Sequence, residues 1–106
     1  MPIQVKKSKG VCHIGIDDEM TIYTAASLKN DLIHELTDNN ELEISLEKVS
    51  EIDSAGVQIM LLLHRTAQKE DRILHFTHHS ECVIEVLETL NLVAHFGDPI
   101  VIAAEG

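Results

Sequence analysis

A serine and an aspartate that could support chemistry stand side by side in the stretch IDSAGV, residues 52–57. The stretch leads into the apolar run from Ile59 to Leu63, which is typical of a buried helix. Ser54 is predicted to N-cap this helix, because its hydroxyl can accept a hydrogen bond from an unpaired amide of the first turn. The same hydroxyl can also accept a phosphoryl group. The pattern alone therefore leaves two interpretations open, a plain cap and a phosphorylation switch.

A phosphate on Ser54 would experience two opposing effects. It would add a charge of about −1.5 to −2 beside Asp53. The partial positive charge of the helix N-terminus favours that charge by about 0.3–1 kcal/mol, whereas Asp53 and the acidic surface oppose it. We therefore expect the fold to survive phosphorylation, while the charge of a partner-binding surface changes.

The rest of this helix, predicted to end near Lys69, separates a core side from a polar side. Gly56 costs about 1 kcal/mol of helix propensity relative to alanine, which predicts a need for access or close packing at this position. Leu61 and Leu62 flank the polar side. They are either covered by neighbouring helices or form an exposed apolar patch beside Ser54, as a protein-binding surface does. At helical spacing, the core side holds Ile59, Met60, Leu63 and Ala67, and the polar side holds Gln58, Arg65 and Lys69.

Histidines and cysteines offer the alternative chemistry of a metal site or a catalytic nucleophile. Of the seven histidines, His75, His78 and His79 cluster, but no cysteine or second spaced pair joins them as a zinc site requires. We expect these to be solvated loop histidines and predict no metal. Cys82 has no orienting group or oxyanion loop, so no catalytic residue is predicted. Cys12 and Cys82 form no C-x-x-C pair and are predicted to be reduced thiols. The histidines and cysteines thus predict neither a metal cofactor nor a catalytic nucleophile.

Composition narrows the class of partner. The 106 residues suffice for one domain with one core. The formal net charge of −10 disfavours nucleic acid and anionic membrane surfaces, and one tyrosine, two phenylalanines and no tryptophan supply no stacking platform for single-stranded nucleic acid. The longest apolar run is too short to cross a membrane. These features predict a soluble cytoplasmic protein whose partners are neutral or basic proteins.

Hydrophobic periodicity predicts the elements around the IDSAGV stretch. A hairpin with a turn over residues 6–10 is followed by strands separated by helices, and such strands pair in parallel. The sequence therefore predicts an α/β fold, a mixed sheet with helices packed on it. The acidic residues 17–19 are predicted to be a solvated loop, and Thr24 and Ser80 are predicted helix caps. The predicted strands cover 3–5, 11–16, 42–46, 73–76 (buried on both faces) and 99–103 (at an edge), and the predicted helices cover 25–37, the residues after 54 to about 69, and the residues after 80.

The order of these elements, with the IDSAGV stretch between the third strand and the second helix, resembles the STAS family of sulfate transporter and anti-sigma-factor antagonist domains. Residues 46–49, LEKV, are similar to the family's D-L-S-x-V approach to the loop. Residues 87–96, LETLNLVAHF, are similar to its segment after the third helix. The resemblance covers nearly the whole chain. It implies a single STAS domain over residues 1–106, with an N-terminal antiparallel hairpin followed by β-α-β-α-β.

The resemblance also implies a binding domain and not an enzyme. In the family's anti-sigma-factor antagonists, the serine after the aspartate is phosphorylated by the anti-sigma factor, which is itself a serine kinase, and a PP2C-type phosphatase removes the phosphate. By match to that motif, Ser54 is the expected phosphoacceptor in a bacterial partner-switching pathway of transcription regulation. Ala55 stands where many members have a second serine or threonine, which leaves one acceptor. The residues expected to bind the partner are Asp53, Ser54, Ala55, Gly56, Gln58, Leu61, Leu62 and Arg65.

The family leaves one alternative function open. Related domains serve as non-switching subunits of multiprotein assemblies such as a lipid-transport ATPase complex. In that case Ser54 would be only a helix cap, and its phosphorylation would play no part in binding.

Overall fold

Strands and helices alternate along residues 3–92, which are the residues that the computed structural model describes. The predicted edge strand at residues 99–103 lies outside this range. The order confirms the predicted α/β class and adds two short strands, β3 and β5, that the periodicity did not predict. The elements are β1 Ile3–Ser8, β2 Val11–Ile16, β3 Asp18–Met20, α1 Ala25–Asp38, β4 Glu41–Ser45, β5 Val49–Ile52, α2 Ser54–Lys69, β6 Ile73–Thr77 and α3 Glu81–Thr89.

The main sheet has the strand order β1-β2-β4-β6. β1 and β2 form the predicted antiparallel hairpin, whereas β2, β4 and β6 run parallel. The turn predicted over residues 6–10 was too long, because β1 continues to Ser8 and pairs it with Val11. Lys9 and Gly10 form the turn at φ values of 53° and 80°. A two-residue hairpin turn of type I′ requires positive φ at both of these positions.

A second, two-stranded parallel sheet joins β3 and β5. The solvated loop predicted over residues 17–19 was therefore wrong for Asp18 and Glu19, which lie in β3. Met20 at the end of β3 is fully buried, and it pairs with Ile52 just before α2. Burial of the Met20 side chain explains why the otherwise acidic residues of β3 form a strand.

The core lies between the main sheet and the helices. Alternate residues of β2 and β4, such as Ile14 and Ile44, are buried on the sheet side. Leu28 and Leu32 of α1 and Leu63 of α2 are fully buried on the helix side. Burying each such side chain contributes about 1.5–3 kcal/mol. This packing holds the N-terminus of α2 against the end of β5 and beside β3.

The environment of β6 differs from the prediction. The segment was expected to be buried on both faces, but Ile73 is 51% exposed and His75 is exposed, while Phe76 is buried. Within the described residues β6 pairs only with β4, so it forms an edge of the main sheet with one open face. A short apolar run does not distinguish these two environments.

Candidate functional site

The N-terminus of α2 is capped by a carboxylate and not by the predicted serine hydroxyl. Asp53 occupies the N-cap position with an extended backbone, and Ser54 is the first residue of the helix. The Oδ1 atom of Asp53 accepts hydrogen bonds from the amides of Ala55 at 2.8 Å and Gly56 at 3.3 Å. These are the amides that an N-cap side chain satisfies. The prediction that Ser54 caps α2 was therefore wrong by one residue.

Ser54 is exposed in this arrangement. Within residues 3–92, its hydroxyl takes part in no hydrogen bond. The amides of Ala55 and Gly56 are already satisfied by the carboxylate of Asp53. A phosphoryl group could therefore be attached to the Ser54 Oγ atom without breaking a hydrogen bond of the Ser54 hydroxyl itself.

The Asp53 carboxylate also joins α2 to the segment before α1. Its Oδ2 atom accepts a hydrogen bond from the amide of Ile22 at 3.1 Å, and the amide of Asp53 donates to the carbonyl oxygen of Met20 at 3.2 Å. The bond from Ile22 makes the largest contribution to lowering the pKa of Asp53. Partial desolvation opposes this effect, and the bonds from Gly56 and Ala55 add to it. The carboxylate is therefore ionised at neutral pH.

Residues 21–24, here named the Ile22 turn, are closed by a threonine hydroxyl. The Oγ1 atom of Thr24 accepts from the amide of Thr21 at 3.1 Å and donates to the carbonyl oxygen of Glu19 at 2.9 Å. Thr24 was predicted to cap α1, but its side chain makes no cap hydrogen bond to that helix. The predicted N-cap position was correct, but the hydroxyl does not cap because it is bonded within the turn before the helix.

The Ile22 turn presents two apolar side chains that the sequence analysis did not select. Ile22 is 71% exposed and Tyr23 is 88% exposed. The pair lies near Ser54, because the amide of Ile22 is bonded to the residue that precedes Ser54. The sequence signal was only an Ile-Tyr pair between two threonines, and its spacing does not distinguish exposed side chains from buried ones.

Gly56 allows the close approach of α2 to β3. A Cβ atom at this position would overlap the carbonyl oxygen of Met20 and would lie 2.8 Å from Cγ1 of Ile52. Of the two predicted reasons for this glycine, access and packing, the contacts support packing. Gly56 is buried, so it positions the start of α2 and offers little surface of its own to a partner.

Four of the residues expected to bind a partner follow one stripe of α2. Ser54, Gln58, Leu61 and Arg65 are spaced by four, three and four positions in the sequence, which places them along the same face of a helix. Beyond Ser54, this face forms a shallow groove of about 210 Å³, lined by Gln58, Leu61, His64, Arg65 and Gln68. The structure thus brings this part of the predicted surface together.

Leu61 and Leu62 match neither of the two predicted alternatives completely. Leu61 is half-buried, packs against the core and also lines the groove. Leu62 is half-buried too, but it lies outside both the core cluster and the groove lining. The surface beside Ser54 therefore consists of the α2 face that carries Gln58, Leu61 and Arg65, together with the Ile22 turn. Leu62 lies outside it.

Sequence comparison identifies the family. The family model described as Mlab, STAS domain matches residues 3–101. The chain belongs to the STAS domain family. No curated protein matches the sequence significantly.

Solved structures share the fold of this STAS domain. An anti-sigma factor antagonist from Mycobacterium paratuberculosis is 19% identical, with a TM-score of 0.80 over 93% of this chain and 83% of that chain. The phosphorylated form of the Bacillus cell fate determinant SpoIIAA is 15% identical, with a TM-score of 0.71 over 97% and 92% of the two chains. A sulfate transporter family protein from Wolinella succinogenes is 16% identical, with a TM-score of 0.74 over 91% and 80%. At these identities the similarity establishes the fold alone.

The histidines of this STAS domain do not form a second site. His78 is exposed, but His79 is only 4% exposed, so the predicted solvated loop was wrong for His79. It directly precedes Ser80, which is also buried where α3 begins. In the described part of the chain, no group of three or more His, Cys, Asp or Glu side chains could hold a metal ion.

A second concavity, of about 380 Å³, lies on the open face of the main sheet. Its lining includes His13 and Glu43, whose Nδ1 and Oε1 atoms are 3.4 Å apart. None of the residues expected to bind a partner lines it.

None of the helices within residues 3–92 has the length and apolar content needed to cross a bilayer.

Proposed function

We propose that this chain, a single STAS domain, is a bacterial anti-sigma-factor antagonist whose affinity for its partner is controlled by phosphorylation of Ser54. The partner is an anti-sigma factor that is also a serine kinase. The observation that carries the proposal is the position of Ser54, which is exposed at the first residue of α2 while Asp53 performs the capping. Ser54 is therefore available for modification, because its own hydroxyl does not cap the helix.

The chemistry requires little of the STAS domain itself, which acts as a substrate and binding module and not as an enzyme. The Oγ atom of Ser54 attacks the γ-phosphorus of ATP bound to the kinase. The new Oγ–P bond forms as the bond to ADP breaks, and the hydroxyl proton passes to a base of the kinase. A PP2C-type phosphatase reverses the modification with water, releasing inorganic phosphate and restoring the serine.

The proposed binding surface has a polar part and an apolar part. Ser54, Gln58 and Arg65 supply polar groups along α2, and Leu61 lies between them in the groove. Ile22 and Tyr23 supply exposed apolar area beside Asp53. Exposed aromatic and apolar side chains ringed by polar groups are typical of protein interfaces. Ala55 and Gly56 support this surface from within the first turn of the helix.

The experiment incubates the purified chain with an anti-sigma-type serine kinase from the same cell, Mg²⁺ and ATP, and locates added phosphate by mass spectrometry. We expect one phosphate, on Ser54, and none on Ser54→Ala. Ser50→Ala is the matched control, because Ser50 is also exposed and lies on β5 just before the site; this variant should be phosphorylated normally. Phosphate on another residue, or none with any such kinase, argues against the proposal.

A second candidate is the non-switching subunit of a larger assembly, such as a lipid-transport ATPase complex. The observation that favours it is the Ile22–Tyr23 pair, which is exposed without any modification of Ser54. Ser54→Asp and the neutral Ser54→Asn separate the two functions. A switch predicts that Ser54→Asp binds the partner more weakly than Ser54→Asn, whereas a constitutive subunit binds equally well with either residue.

The same proposal places the protein in the cytoplasm, where anti-sigma factors and their kinases act. The formal net charge of −10 is the basis for expecting a protein partner without direct contact to nucleic acid or insertion into the membrane. No cofactor is part of the proposed mechanism.

A further inference from the structure

We propose that the Asp53 carboxylate transmits the charge of Ser54 to the Ile22 turn, so that phosphorylation alters the apolar Ile22–Tyr23 surface as well as the charge beside it. This inference rests on the proposed function, because it concerns the regulation of the Ser54 site. The Asp53 carboxylate accepts hydrogen bonds from three backbone amides, two in α2 and one in the Ile22 turn.

The hydrogen bond between the Ile22 amide and the Asp53 carboxylate holds Ile22 and Tyr23, whose side chains are little packed, beside α2. Ile22 and Tyr23 are 71% and 88% exposed, so side-chain burial does little to hold them in position. Among residues 3–92, the bond from the Ile22 amide to Asp53 Oδ2 is the side-chain hydrogen bond that joins the turn to the start of α2. Segments with few buried contacts open locally at low free energy. Loss of this bond should therefore loosen Ile22 and Tyr23, while the Thr24 hydroxyl still closes the turn.

A phosphate on Ser54 would act against the position of Asp53 in two ways. It adds a charge of about −1.5 to −2 on the residue next to an ionised carboxylate. Phosphate oxygens are also strong acceptors for the free amides of a helix N-terminus, and Asp53 Oδ1 occupies the amides of Ala55 and Gly56. Repulsion and competition both displace the carboxylate, and the amide of Ile22 then loses its acceptor.

The backbone on the α2 side of the carboxylate is packed closely against β3. Gly56 lies so close to the carbonyl oxygen of Met20 that a Cβ atom would overlap it, and the amide of Asp53 is bonded to the same oxygen. The start of α2 and the end of β3 are therefore held together. The parts left to respond are the Asp53 side chain and the exposed residues of the Ile22 turn.

The test uses the full chain labelled with ¹⁵N and needs neither kinase nor partner. Ser54→Glu places a negative charge near the phosphate position, and Ser54→Gln is the neutral variant of equal length. We expect the Ile22 amide to exchange with solvent about 2- to 5-fold faster in the Ser54→Glu variant, the range of a charge effect at an exposed helix terminus. The amide of Leu28, which donates to the carbonyl oxygen of Thr24 in α1, should exchange equally in both variants.

Repeating the pair of variants in an Asp53→Asn background tests whether the carboxylate carries the effect. An amide side chain has only one accepting atom, so it cannot hold α2 and Ile22 together, and the difference between the Ser54→Glu and Ser54→Gln chains at Ile22 should vanish. Equal exchange of Ile22 in Ser54→Glu and Ser54→Gln would overturn the proposal. A difference that persists unchanged with Asp53→Asn would overturn it too, because the effect would then bypass the carboxylate.

This result is independent of the phosphorylation experiment. If no kinase modifies Ser54, the exchange difference at Ile22 still stands as a property of the chain. If Ser54 is phosphorylated but Ile22 does not respond, the switch acts through charge alone and the coupling through Asp53 is wrong.

Discussion

Two helices of this STAS domain start at or beside a serine, and the two serines have opposite environments. At α2, Ser54 follows the N-cap residue Asp53 and is exposed. At α3, Ser80 is itself at the N-cap position, is 9% exposed and makes no side-chain cap hydrogen bond. Its Oγ atom instead lies 3.4 Å from Sγ of Cys82, which donates to the carbonyl oxygen of Val49 at 3.4 Å.

The difference arises from the residue that holds the N-cap position and from the packing around it. At α2 an aspartate holds it, satisfies the first amides and leaves the following serine available. At α3 the serine holds the position and is enclosed where the helix packs against β5. The position predicted for Ser80 was correct, although its hydroxyl does not cap. Ser54 is therefore the better candidate for modification of the two, because Asp53 caps its helix and Ser54 is exposed, whereas Ser80 is enclosed by packing.

The largest effect is expected from Gly56→Ala at the third residue of α2, where α3 has the buried Val83. Alanine favours a helix over glycine by about 1 kcal/mol, but its Cβ would overlap the carbonyl oxygen of Met20. We expect the clash to dominate and to destabilise the chain by about 1–3 kcal/mol, measured by urea unfolding. Gly15→Ala is the control, because a Cβ there meets nothing within 4 Å. An unchanged or increased stability of Gly56→Ala would contradict the packing role.

The next largest difference is expected between the two N-cap residues. Asp53→Ala leaves three backbone amides without their acceptor, whereas Ser80→Ala removes no cap bond. Asp53→Ala should therefore lower the melting temperature clearly. Ser80→Ala should cost less than the roughly 0.5–2 kcal/mol that the loss of a side-chain cap costs. Equal losses in thermal unfolding would show that the carboxylate does not stabilise α2 through these bonds.

The pH dependence of stability should separate the same two residues. In the folded chain, hydrogen bonds lower the pKa of Asp53 below the value of about 3.9 that is typical of unfolded chains. The bond from the Ile22 amide contributes most to this lowering. The contribution of Asp53 to stability is therefore fully present above that unfolded value and is lost as pH falls through the folded pKa. The stability difference between the parent chain and Asp53→Asn should narrow from pH 7 to pH 3 in urea unfolding. The difference for Ser80→Ala, where no titrating group is removed, should remain constant.

The smallest effects on stability are expected at the exposed residues of the α2 site. Tyr23→Ala and Ser54→Ala should change the free energy of unfolding by no more than about 0.5 kcal/mol. Tyr23→Ala should nevertheless weaken partner binding, measured by isothermal titration calorimetry with the anti-sigma factor. A loss of stability near the 2–5 kcal/mol scale of core truncations would mean that Tyr23 is packed and not presented.

The local pattern of the sequence was sufficient for most of the elements. The core side of α2 was predicted from helical spacing, and Ile59, Met60, Leu63 and Ala67 are all buried. The hairpin, α1 and the parallel strands follow from the same kind of evidence, since each buries one side. The exposure of β6 was not predictable, because a short apolar run is compatible with both a central and an edge strand.

Within the site, the sequence by itself determined which residue types stand at the start of α2 and that Gly56 must have a special reason. Aspartate and serine are both good helix caps, so only the path of the chain from β5 into α2 decided that Asp53 meets the amides and Ser54 faces outward. The Ile22 turn depends on a hydrogen bond to a residue 31 positions away. Periodicity reports which side of one element is apolar, whereas a bond between distant segments exists only after the elements have packed, as they do here where Gly56 rests against Met20.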